Sequence, residues 1–476
     1  MKTKWMFAFL MMGTLLFSAC GDDNKTPGKE DPNVEQPDSN NPSTPDQPST
    51  PDSPTTETAM SPTEQKEKLD VIARNFMSQV DSKDFNNLSD FGHGLNEKYE
   101  NHDWDVIGDW AENIFKSLKT PLNQSDSSVD PDYPNYTYYY TYYQTVILAS
   151  NYKSHFEANN RSWTRTNADD LQFIFDDKDG KECVLKVLTS DNVKQVHVAT
   201  LDEWTGYASD MINGDYYYKD YYDRNNLIVG IPEEVKVTLT RAGDAAPIMD
   251  VDVKIDLSSI QGNEFDLSKS SITVSTTVKL NNGYVIDLSQ VSYTPTKAKV
   301  QFSLSKNDLT LVTLAAASDL KDLPATNVSD FSKEDFSDDD FENANATNAY
   351  AKVDIMGKAQ VQATLKDVRK FVDLLDEAGE YEENETKFKS CVAQANELLE
   401  GSLFYDGTNT QQAKVRLESI PDNYGGNQYW EMEPVLEFLD GSTYSTFEAF
   451  FNDKDFKTVI DQFDDLVDAY TKLIEK

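Results

Sequence analysis

The side chains able to do chemistry are few in kind. Among 476 residues stand three cysteines (Cys20, Cys183, Cys391), four histidines (His93, His102, His155, His197) and 83 carboxylates. No histidine lies in a His-Glu-x-x-His pattern or beside a cysteine pair, so a dedicated zinc site lacks its usual ligands. No Gly-x-Ser-x-Gly elbow, Gly-Lys-Ser/Thr phosphate loop or Gly-x-Gly-x-x-Gly turn occurs, which removes the hydrolases and nucleotide enzymes that carry such motifs. A motif-free glycoside hydrolase survives, because it needs only two carboxylates on opposite sides of a sugar, a spacing that sequence does not display. Asp335, Asp338, Asp339 and Asp340 lack the alternating spacing of a calcium loop and read as a solvated charge run. The sequence assigns no catalytic residue, no cofactor and no metal site.

The positive signal for binding is aromatic. Tyr216, Tyr217, Tyr218, Tyr221 and Tyr222 follow Asn213-Gly214-Asp215 and run into Arg224, in a stretch polar enough to be a loop. Such rings stack on sugar faces while neighbouring groups hydrogen-bond hydroxyls, and they also anchor protein interfaces. The plain alternative is that they pack on adjacent elements. Cys183 and Cys391, one in an expected strand and one in an expected helix, are either a disulfide or two separate buried thiols.

The residues around Cys20 say where the chain goes. Lys2 and Lys4 precede an uncharged run from Trp5 to Phe17, which is too short to span a bilayer and matches a secretory signal. Phe17-Ser18-Ala19-Cys20-Gly21 resembles the lipobox of bacterial lipoproteins, and the Asp22-Asp23 pair resembles the acidic surface-export signal of Bacteroidota lipoproteins. The hairpin-like Phe175 to Lys181, followed by long alternating strands, also looks like members of that group. The resemblance implies removal of residues 1–19, lipidation of Cys20, and an outer-membrane lipoprotein facing the cell exterior. Several lipid chains on one cysteine make a stable anchor, so membrane contact is expected through that lipid only.

Residues 20–60 carry eight of the eighteen prolines and no aromatic residue, which favours a disordered tether reaching on the order of 120 Å when extended. The formal net charge of −40 disfavours nucleic-acid partners.

Behind the tether, Ser61-Pro62-Thr63-Glu64 has the form of a capping box. Leu69, Ile72, Ala73, Phe76 and Val80, then Ile107, Trp110, Ala111, Ile114, Phe115 and Leu118, predict two amphipathic helices separated by a polar loop. Tyr133 to Ala149, 171–175 and 184–188 read as strands, the last two flanking an Asp179-Gly180 turn, and 193–199 as a further strand that continues the meander. From Glu234 to Ala316 apolar residues alternate strictly, as antiparallel strands with one buried face do. Val361 to Ala378, Phe388 to Leu399 and Phe456 to Ile474 predict helices, with strands at 413–417 and 435–439. The expected class is α+β: a large antiparallel meander whose one face is covered by amphipathic helices from the N- and C-terminal ends. Two regions are expected, 61–330 and 346–476, divided at the acidic segment 331–342 but able to pack as one.

Three functions fit this reading: a lipid-anchored, nonenzymatic module that binds a glycan or protein partner, a carrier of a lipid or other apolar ligand in a sheet-and-helix cradle, and the motif-free glycosidase.

Overall fold

The computed structural model describes residues 60–80, 86–332, 345–424 and 427–444. Ser61 opens helix α1 (Pro62–Gln79) through the expected capping box: its Oγ accepts from the Glu64 N–H at 3.4 Å, and Glu64 Oε2 accepts from the Ser61 N–H at 2.9 Å. Helices α2 (Asn86–Tyr99) and α3 (Asp105–Leu118) follow, so the stretch expected as a polar loop contains a helix of its own. Then come β1 (Lys119–Val129), β2 (Tyr136–Leu148), β3 (Ser154–Asn159), β4 (Ser162–Thr166), β5 (Leu171–Asp176), β6 (Glu182–Thr189), β7 (Val193–Ile212) and β8 (Asp215–Pro232). The alternating stretch forms β9 (Glu234–Arg241), β10 (Met249–Asp256), β11 (Ile272–Leu280), β12 (Tyr284–Thr294), β13 (Lys297–Lys306) and β14 (Leu309–Lys321). After it stand β15 (Asn345–Ile355), β16 (Ala359–Leu365), the helical hairpin α4 (Val368–Glu380) and α5 (Glu385–Leu398), and β17 (Leu399–Tyr405), β18 (Ala413–Tyr424), β19 (Asn427–Phe438) and β20 (Thr443–Tyr444).

Sixteen of these strands make one sheet. From β9 to β20 each pairs with the next, and β9 continues through β6, β5, β3 and β4, with β3 and β5 parallel. β14 pairs directly with β15 across the acidic segment expected to divide the chain. The other four strands form a separate sheet in the order β1-β2-β8-β7. The segment 193–199, expected to continue the main meander, leaves it instead.

The α+β expectation is overturned. Among the described residues the protein is mostly β, with 55% strand against 21% helix, and no helical layer covers a face of the sheet. Apolar alternation specifies a strand and says nothing of what lies above it. β11 and β12 are half-buried at nearly every position, on both faces, so their Val, Ile and Thr side chains shield one another along the sheet. The helices touch it at points. Ile72 of α1 packs among Leu403, Tyr405, Ala413 and Phe438, and Leu88 and Phe91 of α2 pack with Cys183, Leu239 and Ile248. Phe371 and Leu374 of α4 join Phe388 and Val392 of α5 over Leu417 and Trp430. The segment 361–378, expected as one helix, begins as β16, where Val361 and Ala363 pair with Leu403 and Gly401. The helix expected at 456–474 lies outside the described residues, as do Cys20 and the tether up to residue 59. Among the described residues no helix is long and apolar enough to cross a membrane, which has no bearing on strands.

Candidate functional site

The four-stranded sheet is built on two very long strands. β7 has 20 residues and β8 has 18, joined at Asn213-Gly214. Both turn residues have positive φ (54° and 94°), as a two-residue hairpin with the sheet's own twist requires. The root is apolar: Val196 is buried with Leu257, Ile260 and Phe265, and Val198 and Ile231 pack beside them. Farther out, Thr145 Oγ1 donates to Asn225 Oδ1 at 3.1 Å, and these two are the outermost buried positions on β2 and β8. Beyond them water reaches both faces. From Val196 to Asn213 the hairpin extends up to roughly 55 Å at ~3.3 Å per residue.

The segment from Tyr216 to Arg224, expected as a loop, is the outer half of β8. It has no apolar alternation because tyrosines point to both sides. Opposed residues share a face, and β8 runs parallel to β2 with Tyr136↔Tyr218, Tyr140↔Tyr222 and Tyr142↔Arg224 in register, and antiparallel to β7 with Met211↔Tyr216, Tyr207↔Asp220, Trp204↔Tyr222 and Asp202↔Arg224. One face thus gathers Tyr216, Tyr218, Tyr222 and Arg224 of the expected set, and Tyr217 and Tyr221 fall on the other.

On the first face Tyr136 and Tyr218 stack at 4.6 Å between centroids and 18° between planes, and Tyr140 and Tyr222 at 5.7 Å and 28°. Tyr139 and Tyr221 repeat the arrangement on the opposite face at 5.4 Å. Cross-strand aromatic pairs contribute roughly 0.2–1 kcal/mol each. They take the place of a core in a sheet wetted on both sides.

A polar chain crosses all four strands. Arg224 donates to Asp202 of β7 through Nε at 2.7 Å and Nη2 at 2.5 Å, and its guanidinium lies 4.1 Å from the centroid of Tyr140 of β2. Beside it the Tyr142 hydroxyl donates to Asp126 of β1 at 2.5 Å. Near the β1–β2 turn the Tyr138 hydroxyl donates to Asp130 at 2.8 Å. That bond holds the phenol proton, pushing Tyr138 up to about 12, and it lowers Asp130 below the usual carboxylate range. On the opposite face Lys219 pairs with Asp210 at 2.5 Å, and Lys119 with Asp223 at 3.0 Å.

Stacked rings present edges and hydroxyls to solvent, whereas two rings keep their faces free. Trp204 and Tyr207, 55% and 71% exposed, take part in no ring stack among the described residues; Trp204 is held by an Nε1–H···Asp220 contact of 3.5 Å. Met211 and Tyr216 continue the row toward the tip. The face therefore offers open aromatic planes, a comb of phenol hydroxyls and fixed carboxylates. Met211 stands on it near the tip, and Val146 and Ile228 share it toward the root. Trp204, Tyr207, Tyr140, Tyr142 and Asp202 were absent from the sequence-derived set. The signal was the pairing of two tyrosine-rich runs, 136–143 and 216–222, about eighty residues apart.

The other candidates lie elsewhere. Cys183 and Cys391 are free, buried thiols in different core clusters, Cys183 under α2 and Cys391 on α5, so the disulfide alternative is not formed. His155 Nε2 lies 2.5 Å from Asp170 and His197 Nδ1 2.9 Å from Glu264; His102 packs edge-on to Tyr99, and His93 is exposed. Among the described residues no group of three His, Cys, Asp or Glu side chains is arranged to hold a metal. Asp170 is held well below the carboxylate range by hydrogen bonds from Lys186, Gln172 and His155, and Asp406 by Lys68. A glycosidase acid needs the opposite shift. The cleft beside α3, about 600 Å³, sets Val106, Trp110 and Ile114 among Asp109, Asn113, Lys153 and Arg165, a lining with charged groups unlike an apolar-ligand cradle. No family model, curated protein or solved structure matches this chain.

Proposed function

We propose that this protein is a lipid-anchored, nonenzymatic surface module of the Bacteroidota lipoprotein type, and that its four-stranded sheet binds glycan chains. The anchoring part rests on the lipobox resemblance at Cys20 and the Asp22-Asp23 pair. The binding part rests on one observation: the free planes of Trp204 and Tyr207 beside a rigid tyrosine comb, on a face whose outer half is mostly aromatic and polar. A pyranose has an apolar C–H face and a hydroxyl rim, which such a surface matches. A lipid-tethered body would present it away from the membrane.

The second reading, a protein partner, is favoured by the same Tyr, Trp, Met and Arg composition. Its difficulty is size. Four strands about 4.8 Å apart and roughly 30 Å of strand give a face on the order of 600 Å², below the ~800 Å² per partner of an ordinary interface.

The full chain, purified in detergent, is run through native gels cast with single polysaccharides. Retardation by at least one polysaccharide, lost in W204A/Y207A, is expected; unaltered migration in every gel overturns the glycan reading. For the anchor, Cys20→Ser is expected to release the protein from the membrane fraction, and retention of the variant refutes lipidation there.

A further inference from the structure

The charges on the four-stranded sheet are unevenly balanced. Its strands carry four cations, and each is already engaged. Lys119 pairs with Asp223 and Glu203, Lys219 with Asp210, and Arg224 with Asp202. Lys194, at the root, donates to the Ile260 carbonyl at 2.6 Å. The carboxylates are not balanced in the same way. Asp126, Asp130 and Asp220 have no cationic partner among the described residues; they accept from Tyr142, Tyr138 and Trp204, which leaves their charge in place.

We infer that the surface is selective for uncharged polysaccharides, and that the Asp202–Arg224 pair sets this selectivity by denying the sheet a free cation. The inference rests on the glycan reading above. Arg224 is the group best shaped to receive a carboxylate or sulfate, since its planar fork binds such anions in two places. Asp202 occupies both places, at 2.7 and 2.5 Å. Arg224 is then a positioning residue: stacked on Tyr140 and tied to β7, it holds the ring comb flat rather than contacting ligand charge. A uronate or sulfated sugar on this face meets Asp126 and Asp220 with no compensating cation.

Affinity of the full chain in detergent is measured for a neutral panel (xyloglucan, mixed-linkage β-glucan, mannan, amylose) and an anionic panel (polygalacturonate, chondroitin sulfate). The wild type is expected to bind a neutral polymer, insensitive to salt, and the anionic ones at least on the order of tenfold more weakly. Asp202→Asn frees one arm of the guanidinium and is expected to raise the ratio of anionic to neutral affinity by roughly tenfold, in a salt-dependent way. D202N/R224Q is expected to lose that gain. Near-UV circular dichroism of the tyrosines checks that the sheet persists in both variants. Equal or tighter wild-type binding to the anionic panel overturns the selectivity and leaves glycan binding standing. An unchanged ratio of anionic to neutral affinity in D202N overturns the role of the pair. Absence of binding to every polymer overturns the glycan reading and this inference with it.

Discussion

Replacing Trp204 and Tyr207 by Ala removes the two open ring planes while leaving the stacked tyrosines in place. The rings are 55% and 71% exposed, so on side chains of roughly 200–250 Å² each shows about 140 Å² to water. A sugar resting on one plane covers about half of that. At ~25 cal/mol per Å² the contact is worth about 1.8 kcal/mol, or roughly twentyfold in affinity per ring. The positions are three residues apart across a bulge and touch different parts of a ligand, so the double variant is expected to lose a few hundredfold. Stability tells the two possible roles apart. Because the rings are mostly wetted, their loss is expected to change unfolding free energy by no more than ~0.5 kcal/mol. Trp430→Ala is the contrast: 8% exposed among Phe388, Cys391 and Leu417, it is expected to cost about 3–5 kcal/mol and leave binding of the surviving folded protein unchanged. Calorimetric titration with the best-binding neutral polysaccharide, alongside thermal melts, reads both quantities. Wild-type affinity in W204A/Y207A at an unchanged Tm refutes the reasoning, since it means that the ligand does not use those planes.

Tyr138 and Asp130 predict how the sheet responds to pH. Asp130 has its pKa lowered in the folded chain, so its contribution is present above the unfolded value of 3.8 and is lost as pH falls through the depressed one. Tyr138 is raised, so its contribution is present below the ordinary value of 10 and is lost as pH climbs through about 12. Tyrosine circular dichroism should stay flat between about pH 5 and 9, and Tyr138→Phe should remove one late-ionising phenol; an unchanged alkaline absorbance titration in that variant refutes the pairing. Burial pushes the Cys183 thiol up to about 11 and raises that of Cys391, so both should resist alkylation when native and both should be labelled after denaturation without reductant. A pair that stays unlabelled until reduced refutes two free thiols. Gly401 lies where an added Cβ would meet Val415 Cβ at 2.6 Å and its carbonyl oxygen at 2.9 Å, so Gly401→Ala should destabilise by about 1–3 kcal/mol in denaturant titrations; an unchanged midpoint refutes the close approach of β17 and β18.

Local chemistry was legible wherever one residue type answers one physical need. Ser61 and Glu64 cap α1 because the first-turn N–H groups require acceptors. The strands from β9 to β14 appear where Val, Ile and Leu alternate with Lys, Thr and Asp, and Asn282-Gly283 and Asn307-Asp308 turn them with positive φ at Gly283, Asn307 and Asp308. The helix–strand confusion at 361–378 had a physical source, since Val361, Ala363 and Leu365 alternate as a strand while Val368, Phe371, Leu374 and Ala378 step as a helix. The cover over the sheet was not legible. Amphipathic stripes show that a helix has an apolar side, and Ile72, Phe91 and Phe388 do bury theirs, but a stripe does not state how much sheet one helix can span.

The sequence alone determined the strand-forming periods, the helix cap, the acidic balance, the lack of motif-bearing chemistry and the residues that resemble an export and lipidation signal. Each is written within a few neighbouring positions. Only the tertiary structure decided that β7 and β8 leave the main sheet, that β8 lies parallel to β2, and that Asp202, Arg224, Tyr140, Tyr142 and Asp126 meet across four strands. A parallel pairing between runs about eighty residues apart leaves no local trace, because neither run has a dry face to betray it. Tyrosines on both sides of β8 read as an irregular polar stretch until β2 and β7 supply the rings and carboxylates that hold them.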